Sequence, residues 1–172
     1  MRVRFLDNQL SKRYGLPLTD LCLPHSQFAQ LHLQTERCIV TENKMVFLTL
    51  PAFPLTFAIF GEGFTVRSLH AISWLTHCPI YYWGDLDAHG FQILALLRET
   101  FPHVISVMMD EVTLQTFSDF CVEGTPCNAQ QLPQLTAEEH ALFQHLAREN
   151  IRLEQERIDH AYALQRLRAY LH

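Results

Sequence analysis

The sequence predicts an α/β fold: a parallel, Rossmann-like sheet of about four strands flanked by helices, with further helices at the C-terminal end. Three observations carry this. Short, nearly all-apolar runs at 38–41, 55–60, 79–83 and 104–109 have the composition of strands buried on both faces. Segments of helical character stand between them, and that alternation builds parallel sheets. Three of the four runs also end in acidic residues, which places carboxylates along one edge of such a sheet.

Residues 1–37 have no regular pattern and no catalytic motif. Tyr14-Gly15-Leu16-Pro17 and Leu23-Pro24 favour extended or turn backbone, and 26–33 fits one short helix. This segment is expected to be an arm on a core formed by 38–124, with 125–172 a helical extension packed on that core in a single domain. The β-branched run Cys38-Ile39-Val40-Thr41 reads as a strand delivering Glu42 to its carboxyl end. An apolar stretch, 45–50, is closed by Pro51, and the strand at 55–60 ends in Gly61-Glu62-Gly63. Val66, Leu69, Ile72 and Leu75 predict one helical face over 65–75. The strand at 79–83 runs into Gly84-Asp85-Leu86-Asp87-Ala88-His89-Gly90, and a helix follows from about 88 to 100, stopped near Pro102. The strand at 104–109 ends in Asp110, with a short helix expected over 113–120. Thr136 followed by Glu139 is a capping box opening a helix to about residue 149. The last stretch, 152–171, reads as a long, polar, amphipathic helix.

A chain of 172 residues is one ordinary domain, and no apolar run approaches the roughly 18 residues of a membrane span. No apolar stretch follows Arg2 and Arg4, so the N-terminus lacks a secretory pattern. The five cysteines are an odd number with no C-x-x-C pair, which suits reduced thiols and a cytoplasmic location. A net charge of −5 is a poor footprint for a protein that grips nucleic acid unaided. Only Lys12 and Lys44 are lysines; arginine otherwise supplies the positive charge and suits bidentate contacts with phosphate or carboxylate.

Glu42, Asp85, Asp87 and Asp110 fall at the carboxyl ends of expected parallel strands. Gathered on one edge they raise each other's proton affinity unless a cation neutralises them. An oxygen-only set selects a hard ion, Mg²⁺ or Mn²⁺, which can neutralise a phosphodiester and activate water. Asp110 also fits as the cap of the helix that follows it. Lys44 and His89 are placed to touch phosphate, or to be a surface lysine and a helix-start histidine. Gly61 and Gly63 offer backbone N–H groups to an anion, or simply make a turn. Arg152, Glu154 and Glu156 lie in Arg152-Leu153-Glu154-Gln155-Glu156-Arg157, whose spacings fit a salt-bridged helix face.

Glu42 after one strand and Asp85-Leu86-Asp87 after another resemble the Toprim domain, a small α/β fold of topoisomerases, primases and certain nucleases. The wider set is more specific. Thr41-Glu42-Asn43-Lys44, Leu48-Thr49-Leu50-Pro51, Phe60-Gly61-Glu62-Gly63, Tyr82 through Phe91, Met109-Asp110 and 152–157 together resemble the C-terminal domain of the JetD family. JetD is the nuclease subunit of the bacterial Wadjet system, an SMC-like complex that defends against plasmids, and is related to the A subunit of topoisomerase VI. The resemblance implies a metal site with Glu42 and Asp85 as leading ligands and Asp87 beside them, DNA cleavage, a homodimer, and SMC-like partner subunits. Relatives carry a further N-terminal DNA-binding region, so the chain is expected to be a catalytic fragment. Metal-assisted hydrolysis is favoured over a covalent tyrosine link, since no motif assigns that role to a tyrosine here. Two other readings stay open: a metal-dependent phosphatase or phosphotransferase acting on a small ester, and a non-catalytic dimerisation or docking module of a DNA-handling complex.

Overall fold

The computed structural model describes residues 1–31, 33, 37–61, 63–128 and 131–171. Its sheet is built from β1 (Arg2–Phe5), β2 (Asp20–Cys22), β3 (Arg37–Thr41), β4 (Thr56–Phe60), β5 (Ile80–Trp83) and β6 (Ile105–Ser106), in the order β2-β1-β4-β3-β5-β6. The four apolar runs form the parallel part, β4-β3-β5-β6. Cys38, Ile39, Val40, Phe57, Ala58, Ile59, Ile80 and Tyr82 are at most marginally exposed, as expected of strands covered on both faces. The fold class is therefore α/β with a mostly parallel sheet, but with six strands among the described residues instead of about four.

The two extra strands come from residues 1–37. In β1 the burial alternates, with Val3 and Phe5 inside and Arg2 and Arg4 half-buried; four residues are too few for that alternation to stand out. β1 runs antiparallel to both β2 and β4. Both arginines have structural partners. Arg2 donates to both carboxylate oxygens of Asp20, at 2.9 and 2.6 Å. Arg4 donates to the carbonyls of Phe47, Leu48 and Leu50, at 2.9, 2.6 and 3.1 Å. It thereby closes the C-terminal end of a helix, where unpaired carbonyls attract a cation.

The helices are α1 (Asn8–Arg13), α2 (His25–Ala29), α3 (Lys44–Thr49), α4 (Ala88–Thr100), α5 (Glu111–Thr116), α6 (Ala137–Glu149) and α7 (His160–Leu171). α4 and α6 have the bounds that the sequence implies, and Thr136 and Glu139 form the complete capping box. Elsewhere the structure departs from expectation. α2 is shorter than 26–33, and residue 32 lies outside the described residues. The expected helix at 65–75 is two 3-10 segments, Gly63–Ala71 and Ser73–His77. Val66, Leu69, Ile72 and Leu75 are all buried, and their strict spacing of three is the period of a 3-10 helix. The strand at 104–109 pairs only over β6, because Met108 takes a left-handed φ of 57° that turns the chain away. The helix expected at 113–120 starts at Glu111, ends at Thr116, and is followed by a 3-10 turn at Ser118–Phe120.

The largest correction concerns 152–171. The chain instead forms β8 (Ile151–Arg152), paired antiparallel with β7 (Val122–Glu123), then a 3-10 turn at Gln155–Arg157, and only then α7. Asn150 ends α6 in the left-handed conformation that breaks the helix before this segment. Among the described residues no helix is long and apolar enough to cross a membrane.

One buried ion pair fixes the C-terminal part to the sheet. Glu139 accepts from Arg98 at 2.5 and 3.0 Å, from Ser106 Oγ at 2.6 Å and from the Thr136 N–H at 2.9 Å. Burial raises its proton affinity, but these donors outweigh burial and hold its pKa below the usual value. The two side chains are only 11% and 9% exposed. Glu139→Ala leaves the Arg98 charge buried and unpaired, so a loss of about 3–5 kcal/mol is expected in urea unfolding. The exposed Arg148–Glu149 pair, 72% and 48% exposed, sets the contrast: Glu149→Ala is expected to leave the urea midpoint nearly unchanged.

Candidate active site at the carboxyl edge of the sheet

From β3 the chain crosses to β4 on one side; β5 and β6 follow on the other. The gap beyond the carboxyl ends of β3 and β5 is thus the switch point where open α/β sheets place ligands. Thr41 stands opposite Trp83 in the register, so Glu42 and Gly84-Asp85 leave the sheet side by side.

Glu42 is largely buried. Its Oε1 accepts from the hydroxyl of Tyr82, which is wholly buried and also reaches the Gly90 carbonyl at 3.3 Å. A Cβ at residue 84 would strike the Tyr82 hydroxyl and come within 2.7 Å of Glu42 Oε1, so the close approach requires glycine. Burial pushes the Glu42 pKa from 4.5 to about 7; the Tyr82 bond opposes the rise, and the nearby Asp85 and Asp87 add to it.

Asp85 is turned towards the segment after α6. Its Oδ2 accepts from Arg152 Nη2 at 2.7 Å and its Oδ1 from the Gln155 backbone N–H at 3.0 Å. Asp87 caps α4, accepting from the Gly90 N–H at 2.7 Å, and its Oδ2 lies 3.7 Å from Arg152 Nε. Burial raises the Asp87 pKa, the Gly90 bond opposes this, and Asp85 adds to it. Gly90 cannot carry a side chain, because a Cβ would collide with the Asp85 carbonyl oxygen. Asp-x-Asp-x-x-Gly is therefore a single tight strand-to-helix turn. Asp87 holds the start of the helix, and Gly90 lets it press against Asp85.

Between the two aspartates, Leu86 makes a backbone bridge with Leu153, donating at 2.9 Å and accepting at 3.1 Å. Gln155, only 1% exposed, closes the arrangement. Its Oε1 accepts from Thr41 Oγ1 at 3.0 Å and the Asn43 N–H at 2.9 Å, and its Nε2 donates to the Trp83 carbonyl. One amide thus ties the ends of β3 and β5 together. Sequence reasoning missed both Gln155 and Tyr82. The signal for Gln155 was an uncharged amide within a run of charges; Tyr82 was hidden in an all-apolar strand.

The other expected residues divide by position. Lys44 is exposed at the first turn of α3, just after Glu42. His89 Nδ1 lies 3.0 Å from Gln92 Oε1, while its Nε2 is buried with no hydrogen-bond partner among the described residues. The Gly61 N–H donates to the Thr41 carbonyl at 3.0 Å, so the sheet already uses it. Gly63 opens a 3-10 segment, and Glu62 between them lies outside the described residues. Asp110 caps α5 through Thr113 and pairs with Arg166, so its partners lie outside the Glu42–Asp85–Asp87 group. Residues 152–156 are not on an α-helix. Glu154 lies 3.3 Å from Arg152 and 3.7 Å from Arg157, and Glu156 accepts from Asn43 Nδ2 at 2.5 Å.

Glu42, Asp85 and Asp87 are an oxygen-only set; burial, and then their mutual repulsion, raises the proton affinity of Glu42 and Asp87, so in chemistry and charge they fit a hard divalent cation. As placed, each carboxylate faces protein donors. Among the described residues no three Asp, Glu, His or Cys side chains are arranged to hold a metal ion.

A carboxylate whose pKa rises on folding contributes its full stability below the unfolded value, near 4.5, and loses it as pH rises through about 7. In metal-free buffer, Glu42→Gln is therefore expected to match the parent near pH 4.5 and to exceed it at pH 8. The gain at pH 8 is on the order of 2–3 kcal/mol, read by denaturant unfolding at both pH values.

Two comparisons bear on what this edge belongs to. No curated protein matches the chain. The family model described as Wadjet protein JetD, C-terminal, matches residues 1–167, which takes in the antiparallel strands β1 and β2 as well as the carboxylates and the segment that binds them. The chain therefore belongs to the Wadjet JetD C-terminal family.

Proposed function

We propose that this chain is a Toprim-class, Mg²⁺- or Mn²⁺-dependent DNA endonuclease domain that works as a homodimer with SMC-like Wadjet subunits in plasmid defence. The observation that carries the reading is the pairing of Glu42 and Asp85 on adjacent strand ends at the switch point, with Asp87 one turn away, in a chain of the JetD family. A bound divalent ion would supply charge neutralisation for the phosphodiester and a water acidified enough to attack it.

The chain's own residues would do the rest. Asp85 and Asp87 would hold the cation from one wall and Glu42 from the other. Glu42, with its proton affinity near neutrality, is the group best matched to accept a proton from the attacking water. Tyr82 keeps Glu42 aimed across the gap and fixes which oxygen is free. Lys44, at the start of α3, and His89, at the start of α4, stand on the two helices that open beside the gap and are the candidates for phosphate contacts. A net charge of −5 leaves most of the grip on DNA to the partner copy or partner subunits.

Nicking of supercoiled plasmid in Mn²⁺ or Mg²⁺ tests this, with the chain alone and with its partner subunits. Asp85→Asn and Glu42→Gln are expected to lower cleavage at least 100-fold, with folding judged by circular dichroism. Cleavage that survives both substitutions would remove these residues from the reaction. Turnover of a small phosphate ester without DNA cleavage would move the chain to the phosphatase class.

A further inference from the structure

Arg152 reaches three carboxylates at once: Asp85 at 2.7 Å, Glu154 at 3.3 Å and Asp87 at 3.7 Å. The last is a charge contact without a hydrogen bond, and Arg152 Nε is buried with no hydrogen-bond partner among the described residues. The guanidinium therefore lies between the two aspartates without satisfying both. It faces the Oδ2 atom of each.

The rest of the segment does not depend on this side chain. The Leu86–Leu153 bridge and the Gln155 amide dock the backbone through separate bonds. At 35% exposure, the Arg152 side chain also has a path to solvent, and Glu154 beside it offers another partner. A guanidinium carries one charge, and a divalent ion carries two in a smaller volume, so the ion is the stronger counter-charge for paired carboxylates.

We infer that Arg152 is a built-in counter-cation that occupies the Asp85–Asp87 pair in the metal-free state and must be displaced for a divalent ion to bind. The inference rests on the metal-site reading above. It makes metal affinity a property of the 151–157 segment as well as of the carboxylates. It also leaves a released arginine tethered at the gap, where planar bidentate donors suit a phosphodiester.

The test is Mn²⁺ binding to the purified full chain, read from the electron paramagnetic resonance signal of free Mn²⁺. Parent, Arg152→Gln, Arg152→Lys and Asp85→Asn are compared. Arg152→Gln is expected to bind Mn²⁺ roughly three- to fivefold more tightly than the parent, the worth of one partly exposed ion pair. Arg152→Lys should fall between them, and Asp85→Asn should abolish binding. Should Arg152→Gln fail to fold by circular dichroism, Arg152→Lys carries the comparison, with at least a twofold gain expected. Equal or weaker binding by the arginine variants, with Asp85→Asn still abolishing it, overturns the counter-cation role and leaves the metal site standing. Binding that is absent in every form, or unchanged in Asp85→Asn, removes the metal site and this inference together.

Discussion

The carboxyl edge of this sheet depends on one contact made late in the chain. Leu153 pairs its backbone with Leu86, and that pairing places Arg152 against Asp85 and Asp87 on one side and Gln155 between β3 and β5 on the other. Asp85-Leu86-Asp87 and Arg152-Leu153-Glu154 are two halves of one antiparallel bridge. The leucines supply its backbone bonds and their side chains are buried, while the flanking residues supply its charges. Without the second half, strand ends carrying Glu42 and Asp85 would stand adjacent with only repulsion between them.

Gathering carboxylates at a buried edge is costly, and the fold shows three separate ways of bearing that cost. Glu42 is buried and held by Tyr82, and shifts its pKa to about 7. Asp87 takes a helix N-terminus, whose unpaired N–H groups favour negative charge. Asp85 takes a guanidinium and a backbone N–H. No two of the three are stabilised alike, although they sit at one gap. Glu42, with its proton affinity near neutrality, is the one of the three matched to taking a proton in the proposed hydrolysis.

Most of the parallel sheet was legible because its strands are short, apolar and bounded by turn residues, and because α4 and α6 carry capping signals at their first residues. The carboxylates were legible for the same reason: strand ends are where side chains emerge from the sheet. What stayed hidden has physical causes. β1 and β2 are four and three residues long and stabilised by pairing with β4 and with each other, a non-local effect. The segment at 152–159 has the charges of a helix. Its backbone hydrogen bonds go instead to Leu86 and Asp85, some 67 to 70 positions earlier, and tertiary pairing overrides local propensity. The role of Arg152 could not be read from its i, i+4 spacing to Glu156, because Asp85 and Asp87 lie in the distant turn after β5.

The use of arginine at 152 follows from the same physics. A lysine ammonium is a compact point charge and would settle on one carboxylate. A guanidinium is broad enough to stand between Asp85 and Asp87 while still touching Glu154. It offsets part of the negative charge of the edge, and its hold on Asp87 is by charge alone. The fold can therefore keep two aspartates close, and on the counter-cation proposal an ion replacing the guanidinium would meet carboxylates already in position. On that proposal the cost is affinity, since each ion would first have to break an ion pair. With the counter-charge on a flexible side chain and the backbone around it anchored through Leu153 and Gln155, such an exchange would stay local and leave the sheet undisturbed.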